Sequence, residues 1–263
     1  MPILKVPNST EKYRQIAIRL KTPNELSGRG LNRALTELRA DFICDNIMKF
    51  SPSCCLLLDI GCGDGSFLVN FSLFFSSLIG ILPTKEEVRV VKSLLRNYQK
   101  IKIMKGFSVD IPLADCTVDV LICNSVLHGV GFDSESVDQS LKEFRRVLKH
   151  NGILYIGEIP ELNEFSGRNY GTSIIKFLIY YLKCRGFHEF IEQVKSLAKA
   201  FFTSTPYIIQ PTKMFYETRA LFASRLEKHG FDVNSVFETK TNRSVSMEEK
   251  SQDIRLDYLC KLQ

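Results

Sequence analysis

The sequence predicts an α/β protein with a doubly wound, mostly parallel sheet and a helical segment inserted into it. Three observations carry this prediction. Apolar runs of strand length alternate with amphipathic helical stretches over about residues 35–160. Short turns join these elements, and a glycine-rich turn follows the first apolar run. The alternation stops after Pro160 and resumes near residue 215, which indicates an insertion between the two.

The composition is that of an ordinary globular protein. Of the 263 residues, 44% are apolar and 24% charged, and 35 basic against 29 acidic residues give a net charge of +6. This length allows one large domain, or a core domain with a substantial insertion. The mild positive charge suits anionic small molecules or surfaces. Because no basic stripe is present, we expect no nucleic-acid partner.

The eight cysteines show no C-x-x-C spacing and no cluster with histidine, so we expect no metal site. The first residues, MPILKVPNSTEKYR, contain no apolar signal-peptide core. We therefore expect reduced thiols in a cytoplasmic protein. Residues 65–84 are uncharged over the length of a bilayer span, but their four serines and their position after the glycine turn predict a buried helix and strand.

The elements of the first half follow from apolar spacing. Residues 1–34 are predicted to form a polar N-terminal arm, and the apolar positions between Leu35 and Met48 recur at helical spacing. Asn151-Gly152 is interpreted as a helix stop. The remaining predicted elements are a strand at 54–60, a helix at 66–76, a strand at 77–82, a helix at 86–98, strands at 101–104 and 118–123, a helix at 136–148 and a strand at 153–157.

The second half begins with the insertion, residues 161–215, in which we recognise no clear buried strand. Apolar and aromatic helical stretches are predicted there at 173–183 and 190–202. The α/β pattern then resumes with a helix at 215–229 and strands at 233–238 and 255–262. Residues 35–160 and 216–263 are thus predicted to build one core around a helical lid.

The most informative stretch is LDIGCGDGSF, residues 58–67, between a buried strand and a helix. Its glycines, Gly61, Gly63 and Gly65, allow a sharp turn and the close approach of a ligand to the backbone. The following helix start offers free N–H groups to an electron-rich ligand. Two acids accompany the glycines, Asp59 before them and Asp64 between them.

These residues resemble the first motif of the class I S-adenosylmethionine (SAM) dependent methyltransferases of the small-molecule type. Further stretches extend the resemblance: DIPLAD with VDV (110–120), NSVLH (124–128) and FRRVLKHNG (144–152). It covers about residues 35–160 and, more loosely, 215–263. It implies a Rossmann-like, seven-stranded sheet, SAM as the cofactor and methyl transfer as the activity.

The resemblance also implies a cofactor site. Asp59 would contact the SAM amino group, although a buried acceptor of loop N–H bonds is an alternative. Asn124 would lie at the active-site end of the fourth strand. The loop residues expected to line the methionine and ribose parts of SAM are Gly61, Cys62, Gly63 and Gly65.

Two positions depart from the family pattern. Leu82 stands where an acid usually binds the ribose hydroxyls, and Phe107 stands where an acid usually binds the adenine amine. Phe107 is expected to stack on adenine, with a hydrogen bond from Ser108. The residues considered as substitutes for the ribose acid are Thr84, Lys85 and Asp64.

For catalysis, the chain has to hold an acceptor in line with the activated methyl group. A hydroxyl acceptor needs a base, and His128 is the candidate because it follows the fourth strand and histidine changes charge near neutral pH. Its alternative role is loop packing or capping. Glu158, just beyond the fifth strand, is expected to orient the acceptor.

The insertion is expected to supply the acceptor pocket, because it is aromatic and basic; a lid that only packs on the sheet is the alternative. A small-molecule acceptor, anionic or lipid-linked, fits it, and residues 174–182 are compatible with peripheral membrane contact. The favoured acceptor is a hydroxyl of a sugar, glycan precursor or secondary metabolite. Methylation of tRNA or protein, and a non-catalytic SAM-fold binding protein, remain open, as does the oligomeric state.

Overall fold

The computed structural model describes residues 3–19, 22–27, 33–50, 55–129, 131–162, 173–184, 186–203, 206–211, 215–239 and 254–263. The elements in chain order are β1 (Ile3–Lys5), α1 (Ser9–Arg19), a 3₁₀ helix (Pro23–Ser27), α2 (Arg33–Phe50), β2 (Leu56–Ile60), α3 (Ser66–Phe71), β3 (Ser77–Leu82), α4 (Lys85–Leu94), β4 (Ile101–Lys105), β5 (Val118–Asn124), α5 (Ser134–Val147), β6 (Leu148–Pro160), α6 (Ile174–Cys184), α7 (Phe187–Phe202), β7 (Tyr207–Ile209), α8 (Arg219–Lys228), β8 (Phe231–Glu238) and β9 (Arg255–Leu262).

The main sheet has seven strands in the order β4-β3-β2-β5-β6-β9-β8. β9 runs antiparallel to both of its neighbours, β6 and β8, while the other pairs are parallel. β2, with the sequence LLLDI, lies at the centre and is almost entirely buried, as expected of a parallel strand covered on both faces. The strand order reverses between β2 and β5, and ligands of such sheets bind at the carboxyl ends of strands there.

Helices cover both faces of this sheet. One apolar cluster joins side chains of α5 and α8, including Phe144 and Phe222, to the sheet. The other joins α2 and α3, including Ile43 and Phe71, to the opposite face. The seven-stranded, doubly wound α/β fold predicted from the sequence is therefore confirmed.

Several predicted boundaries are wrong. α3 ends at Phe71 rather than at residue 76, and α4 ends at Leu94 rather than at residue 98. Asn151-Gly152 is not a helix stop, because α5 ends at Val147 and β6 begins at once and runs through this pair to Pro160. Asn151 adopts the left-handed conformation (φ 62°). Asn and Gly often take this conformation just after a helix, which is why the pair resembles a helix stop in the sequence.

A small unit lies outside the main sheet. β1 and β7 pair in parallel, and α6 and α7 pack on them through Phe177, Ala200, Tyr207 and Ile209. Neither strand was predicted: β1 falls in the segment interpreted as a polar arm and β7 in the insertion. Each has only three residues, too few for a local pattern to indicate a strand, and the two pair across about 200 positions of sequence. Within the described residues, no helix has the length and apolarity needed to cross a membrane.

Candidate active site

The glycine turn connects β2 to α3 at the centre of the sheet. Gly61, Gly63 and Gly65 all have positive φ, at 73°, 58° and 81°. The Gly61 N–H donates to the Ile81 carbonyl on β3 at 2.9 Å, and the Gly65 N–H donates to the Cys62 carbonyl at 2.9 Å. Positive φ explains why these three positions are glycine.

Protein atoms already fill the space where side chains at these glycines would lie. A Cβ at Gly61 would collide with Val126, and one at Gly65 would lie 2.5 Å from Leu95 Cδ1. A Cβ at Gly63 would lie 3.0 Å from the Leu26 carbonyl oxygen, in the 3₁₀ helix of the N-terminal segment. From the sequence, we expect these glycines to allow the close approach of a ligand. In the structure, protein side chains and backbone that pack against the turn also require glycine at these positions. Part of this packing comes from the N-terminal segment, through Leu26.

Three buried carboxyl groups surround the turn: Asp59, Asp64 and Glu87. Asp64 Oδ1 accepts a hydrogen bond from the Ser66 N–H at 3.1 Å and so caps the start of α3. Burial raises the pKa of the Cys62 thiol well above its ordinary value, and the charges of Asp59, Glu87 and Asp64 raise it further. The turn is therefore a region of negative potential suited to a cationic ligand.

Glu87 is the acid that the sequence reasoning missed. The Thr84 hydroxyl donates to Glu87 Oε2 at 2.5 Å, and the Glu87 N–H donates to Thr84 Oγ1 at 3.3 Å. This is a capping box at the start of α4, and its T-x-x-E pattern was visible in the sequence. Burial raises the pKa of Glu87 to about 7. Lys85, which the sequence analysis considered as a substitute for the ribose acid, is exposed.

The other predicted cofactor residues have different surroundings. Leu82 is buried in the apolar cluster with Cys62, whose Sγ lies beneath Gly80 of β3. Phe107 is 42% exposed, so its ring is available for stacking. Ser108 is buried and its Oγ accepts a hydrogen bond from the Ser140 hydroxyl at 2.9 Å. That these residues contact SAM remains a prediction.

A buried ion network lies on the other side of the β2–β5 boundary. Arg39 of α2 forms a bidentate pair with Asp257 of β9, with N–O distances of 2.6 and 2.8 Å. Arg39 also donates to Asn124 Oδ1 at 2.7 Å. Asp257 accepts further hydrogen bonds from the Tyr155 hydroxyl at 3.0 Å and the Glu158 N–H at 2.9 Å. Burial raises the pKa of Tyr155, which keeps its hydroxyl protonated as a donor.

Glu158 lies within β6, in a bulge where this strand has one more residue than β9 between Ile156 and Ile159. Its φ of 65° is unusual for a residue other than glycine, and Ser125, directly after β5, has φ 62°. Such strained residues concentrate at functional sites. The Ser125 hydroxyl donates to Glu158 Oε2 at 3.1 Å, and the Asn124 amide donates to Oε1 at 3.4 Å.

His128 faces Arg255 of β9. Arg255 Nη1 lies 3.1 Å from His128 Nε2 and 3.5 Å from Glu158 Oε2, and all three side chains are buried. Arginine only donates hydrogen bonds, so Nε2 is the acceptor and the proton of a neutral imidazole lies on Nδ1. The predicted pair, His128 and Glu158, is thus brought together, with Arg255 between them.

The sequence reasoning also missed Arg39, Arg255 and Asp257. Arg255 and Asp257 alternate in the otherwise apolar start of β9, RLDYL, so they share one face of the strand. Two charges on one face of a buried strand are a signal that sequence reading can use. Among the described residues, no group of three or more His, Cys, Asp and Glu side chains is placed to hold a metal ion.

Comparison with known families gives a match to the methyltransferase domain model over residues 58–156. The uncharacterised methyltransferase YcgJ of Bacillus subtilis is 30% identical over 116 residues, which is 41% of this chain and 44% of that protein. The sterol 4-C-methyltransferase strm-1 of Caenorhabditis elegans is 25% identical over 150 residues, covering 56% and 43%. The chain therefore spans less than half the length of either relative.

Solved structures share the fold at low sequence identity. The [4+2]-cyclase SpnF superimposes with a TM-score of 0.62 at 15% identity, covering 99% of this chain and 98% of that one. Geranyl diphosphate methyltransferase in complex with SAM gives a TM-score of 0.56 at 14% identity, covering 86% and 85%. YcgJ gives 0.53 at 14% identity, covering 86% and 97%.

The ion network predicts the stability of an Asp257 variant. Asp257→Asn leaves Arg39 buried without its counter-charge, so we expect a loss of about 3–5 kcal/mol in the free energy of unfolding, measured by urea denaturation. Asp115→Asn is the matched control, because Asp115 pairs with Arg146 at 2.7 Å but is mostly exposed. We expect that control to lose less than about 1 kcal/mol. Equal losses in the two variants would contradict the assigned role of the network.

The raised pKa of Glu87 predicts a pH dependence of stability. A carboxyl group whose pKa rises on folding favours the folded state at low pH and loses that advantage between its unfolded value of 4.5 and about 7. From pH 5 to pH 8 the native protein should therefore lose about 2–3 kcal/mol relative to Glu87→Gln. Urea unfolding of both at the two pH values measures this. Glu86→Gln is the control, because Glu86 is next in the chain and pairs with Arg14. Its free energy of unfolding should not rise relative to that of the native protein between pH 5 and pH 8.

Proposed function

Because residues 58–156 match the methyltransferase domain model, we propose that the chain is a class I SAM-dependent methyltransferase that transfers the methyl group of SAM to a hydroxyl group of a small-molecule acceptor. The observation that carries this proposal is the glycine turn bounded by buried acids at the point where the strand order reverses. The turn, the acids and the polar groups at the ends of β5 and β6 lie along one crevice edge of the sheet.

The residues around the turn fit the cofactor. SAM carries a sulfonium, an ammonium and a carboxylate, so its net charge is positive, and the buried Asp59 and Asp64 provide complementary charge. Glu87 adds to it above its raised pKa of about 7. When bound, SAM supplies a methyl group already activated by the positive sulfur. Asp59 would hold the ammonium group, and Gly61 to Gly65 would receive the methionine and ribose parts along the turn.

Thr84 and Glu87 would bind the ribose hydroxyls in place of the acid for which Leu82 stands. Both are buried at the start of α4, and the charge of Glu87 reaches Cys62 in the turn. The Glu87 carboxylate can accept hydrogen bonds from two neighbouring hydroxyls, as the usual acid does. Phe107 would cover the adenine from its exposed position.

On the acceptor side, His128 and Glu158 are the proposed active residues. His128 Nε2 accepts from Arg255, so this nitrogen takes a proton from an acceptor hydroxyl only when the guanidinium group moves away. While the contact holds, His128 fixes Arg255, and Arg255 in turn faces Glu158. Glu158, held by Ser125 and Asn124, would orient the acceptor.

The acceptor class is inferred from the chain's own residues and one relative. The strm-1 protein is named for a sterol, an apolar small molecule. The α6–α7 unit is aromatic, with the Phe177 ring in contact with the rings of Tyr181 and Tyr207, and this composition suits an apolar acceptor. A lipid-linked or otherwise apolar acceptor with a hydroxyl group is the best fit.

The first test is cofactor binding. Isothermal titration calorimetry with SAM and S-adenosylhomocysteine should show binding to the native chain, and Asp59→Asn should weaken the binding of SAM by about tenfold, because a buried charge pair is lost. Glu135→Gln, on the exposed start of α5, is the control and should bind as the native chain does. No detectable binding of either compound at millimolar concentration would refute the enzymatic proposal and favour a non-catalytic role.

The second test concerns His128. If it fixes Arg255, His128→Gln should keep most of the methyl transfer, because the glutamine oxygen can accept the same hydrogen bond, while His128→Ala should lose it by at least about tenfold. If His128 is the base, both variants should lose turnover alike and the rising limb of the pH profile should disappear. Transfer is measured with labelled SAM across small-molecule, tRNA and protein acceptors. Transfer to tRNA or protein alone would contradict the proposed acceptor class.

A further inference from the structure

The outer face of α6 carries an apolar stripe. Ile175, Ile179 and Leu182 are spaced by four and three residues, so they lie along one face of the helix, and all are exposed, Ile175 at 73%. The inner face of α6 is different, because Phe177 and Tyr180 are buried. Exposed isoleucine and leucine in this spacing are not accounted for by packing within the described part of the chain.

α7 repeats the pattern. Phe187, Val194 and Phe201 are exposed at intervals of seven residues, or nearly two turns, and so form a second stripe. Phe202, at the end of the helix, is 89% exposed. Ala200 faces inward, against Tyr207. Two adjacent helices therefore each present large apolar side chains to solvent, which marks an interaction surface rather than scattered exposure.

Lysines accompany both stripes in the same way. Lys176 and Lys183 each follow a stripe residue of α6 by one position, and Lys195 follows Val194 of α7. A step of one residue turns about 100° around a helix, so these side chains flank the stripes. Together with Lys199 they are exposed. Residues 173–203 contain five basic and two acidic residues, half of the net charge of the chain.

This arrangement matches one kind of partner. A helix with aliphatic and phenylalanine side chains on one face and lysines beside them lies in the interface of a membrane, with its apolar face among the acyl chains. Lysine stems can extend along the apolar surface and place their charges at anionic headgroups. α6, with 11 residues, is about 16 Å long and too short to cross a bilayer.

The α6–α7 pair also belongs to the part of the chain that adjoins the acceptor side of the site. It packs on β1 and β7, and β1 leads directly into α1. At the start of α1, Ser9 Oγ would lie 3.4 Å from a Cβ at Gly129, next to His128. The α6–α7 unit is therefore connected, through β1 and α1, to the segment beside His128.

We infer that the apolar stripes of α6 and α7, with their flanking lysines, bind the surface of an anionic lipid bilayer. The membrane places the protein where an apolar, lipid-linked acceptor resides. This second step rests on the proposed function, whereas binding to the bilayer does not depend on it.

The test is flotation of the full chain with vesicles of phosphatidylcholine alone or with about one third phosphatidylglycerol. We expect binding to the anionic vesicles, weaker binding at high salt and little binding to neutral vesicles. Ile179→Glu combined with Phe201→Glu should reduce the partition coefficient at least about tenfold. Leu221→Glu, at an exposed apolar position of α8, is the matched control and should bind as the native chain does.

The charge contribution has its own variant. Replacing Lys176, Lys183, Lys195 and Lys199 by Gln should remove the preference for anionic vesicles, since each lysine near such a surface contributes about fivefold to binding. Circular dichroism and SAM calorimetry on every variant show that fold and cofactor binding are intact. Failure of SAM binding in the native chain would count against the proposed function alone.

Two results would overturn the membrane inference. One is the absence of native-chain flotation with anionic vesicles. The other is self-association in sedimentation equilibrium that Ile179→Glu/Phe201→Glu abolishes, without vesicle binding by the native chain, which would assign the surface to a second copy of the chain. An unchanged anionic preference in the lysine variant would refute the charge contribution and with it the choice of an anionic bilayer.

Discussion

The buried pair of Arg39 and Asp257 is the interaction on which the proposed acceptor side of the site depends. It joins a helix near the start of the chain to the last strand, and the same carboxylate fixes the backbone of Glu158 in the bulge of β6. Removal of either partner leaves a charge in an apolar interior, which costs far more than an exposed pair contributes. The network thus ties the carboxyl ends of β5 and β6 to β9.

This constraint shapes what the site can do. Gly157 has no room for a side chain because Asn124 and Arg39 lie against it, and Glu158 beside it takes a strained conformation. Hydrogen bonds from Ser125 and Asn124 hold the Glu158 carboxylate in one orientation, which suits the positioning of an acceptor. On the cofactor side the constraint is electrostatic: Asp64 accepts from the Ser66 N–H and Glu87 from the Thr84 hydroxyl, and buried acids with such neutral donors favour a cationic ligand.

The sequence predicted what is encoded locally. Strand, glycine turn and helix follow one another within residues 56–71, so periodicity and the motif indicate them directly. The ion network could not be predicted in this way, because Arg39 and Asp257 are 218 positions apart and meet only in the folded chain. The β1–β7 pairing could not be predicted either, because its two strands are also far apart in the sequence. Glu87 lay in a visible capping box, but only its burial distinguishes it from an ordinary helix cap.

The most direct test of the whole account is a crystal structure of the chain with S-adenosylhomocysteine. The account predicts that the ligand lies along the glycine turn, with its amino group at Asp59, its ribose at Thr84 and Glu87, and its sulfur facing the Asn124–Glu158 edge. A ligand bound elsewhere, or a ribose that contacts neither Thr84 nor Glu87, would contradict it.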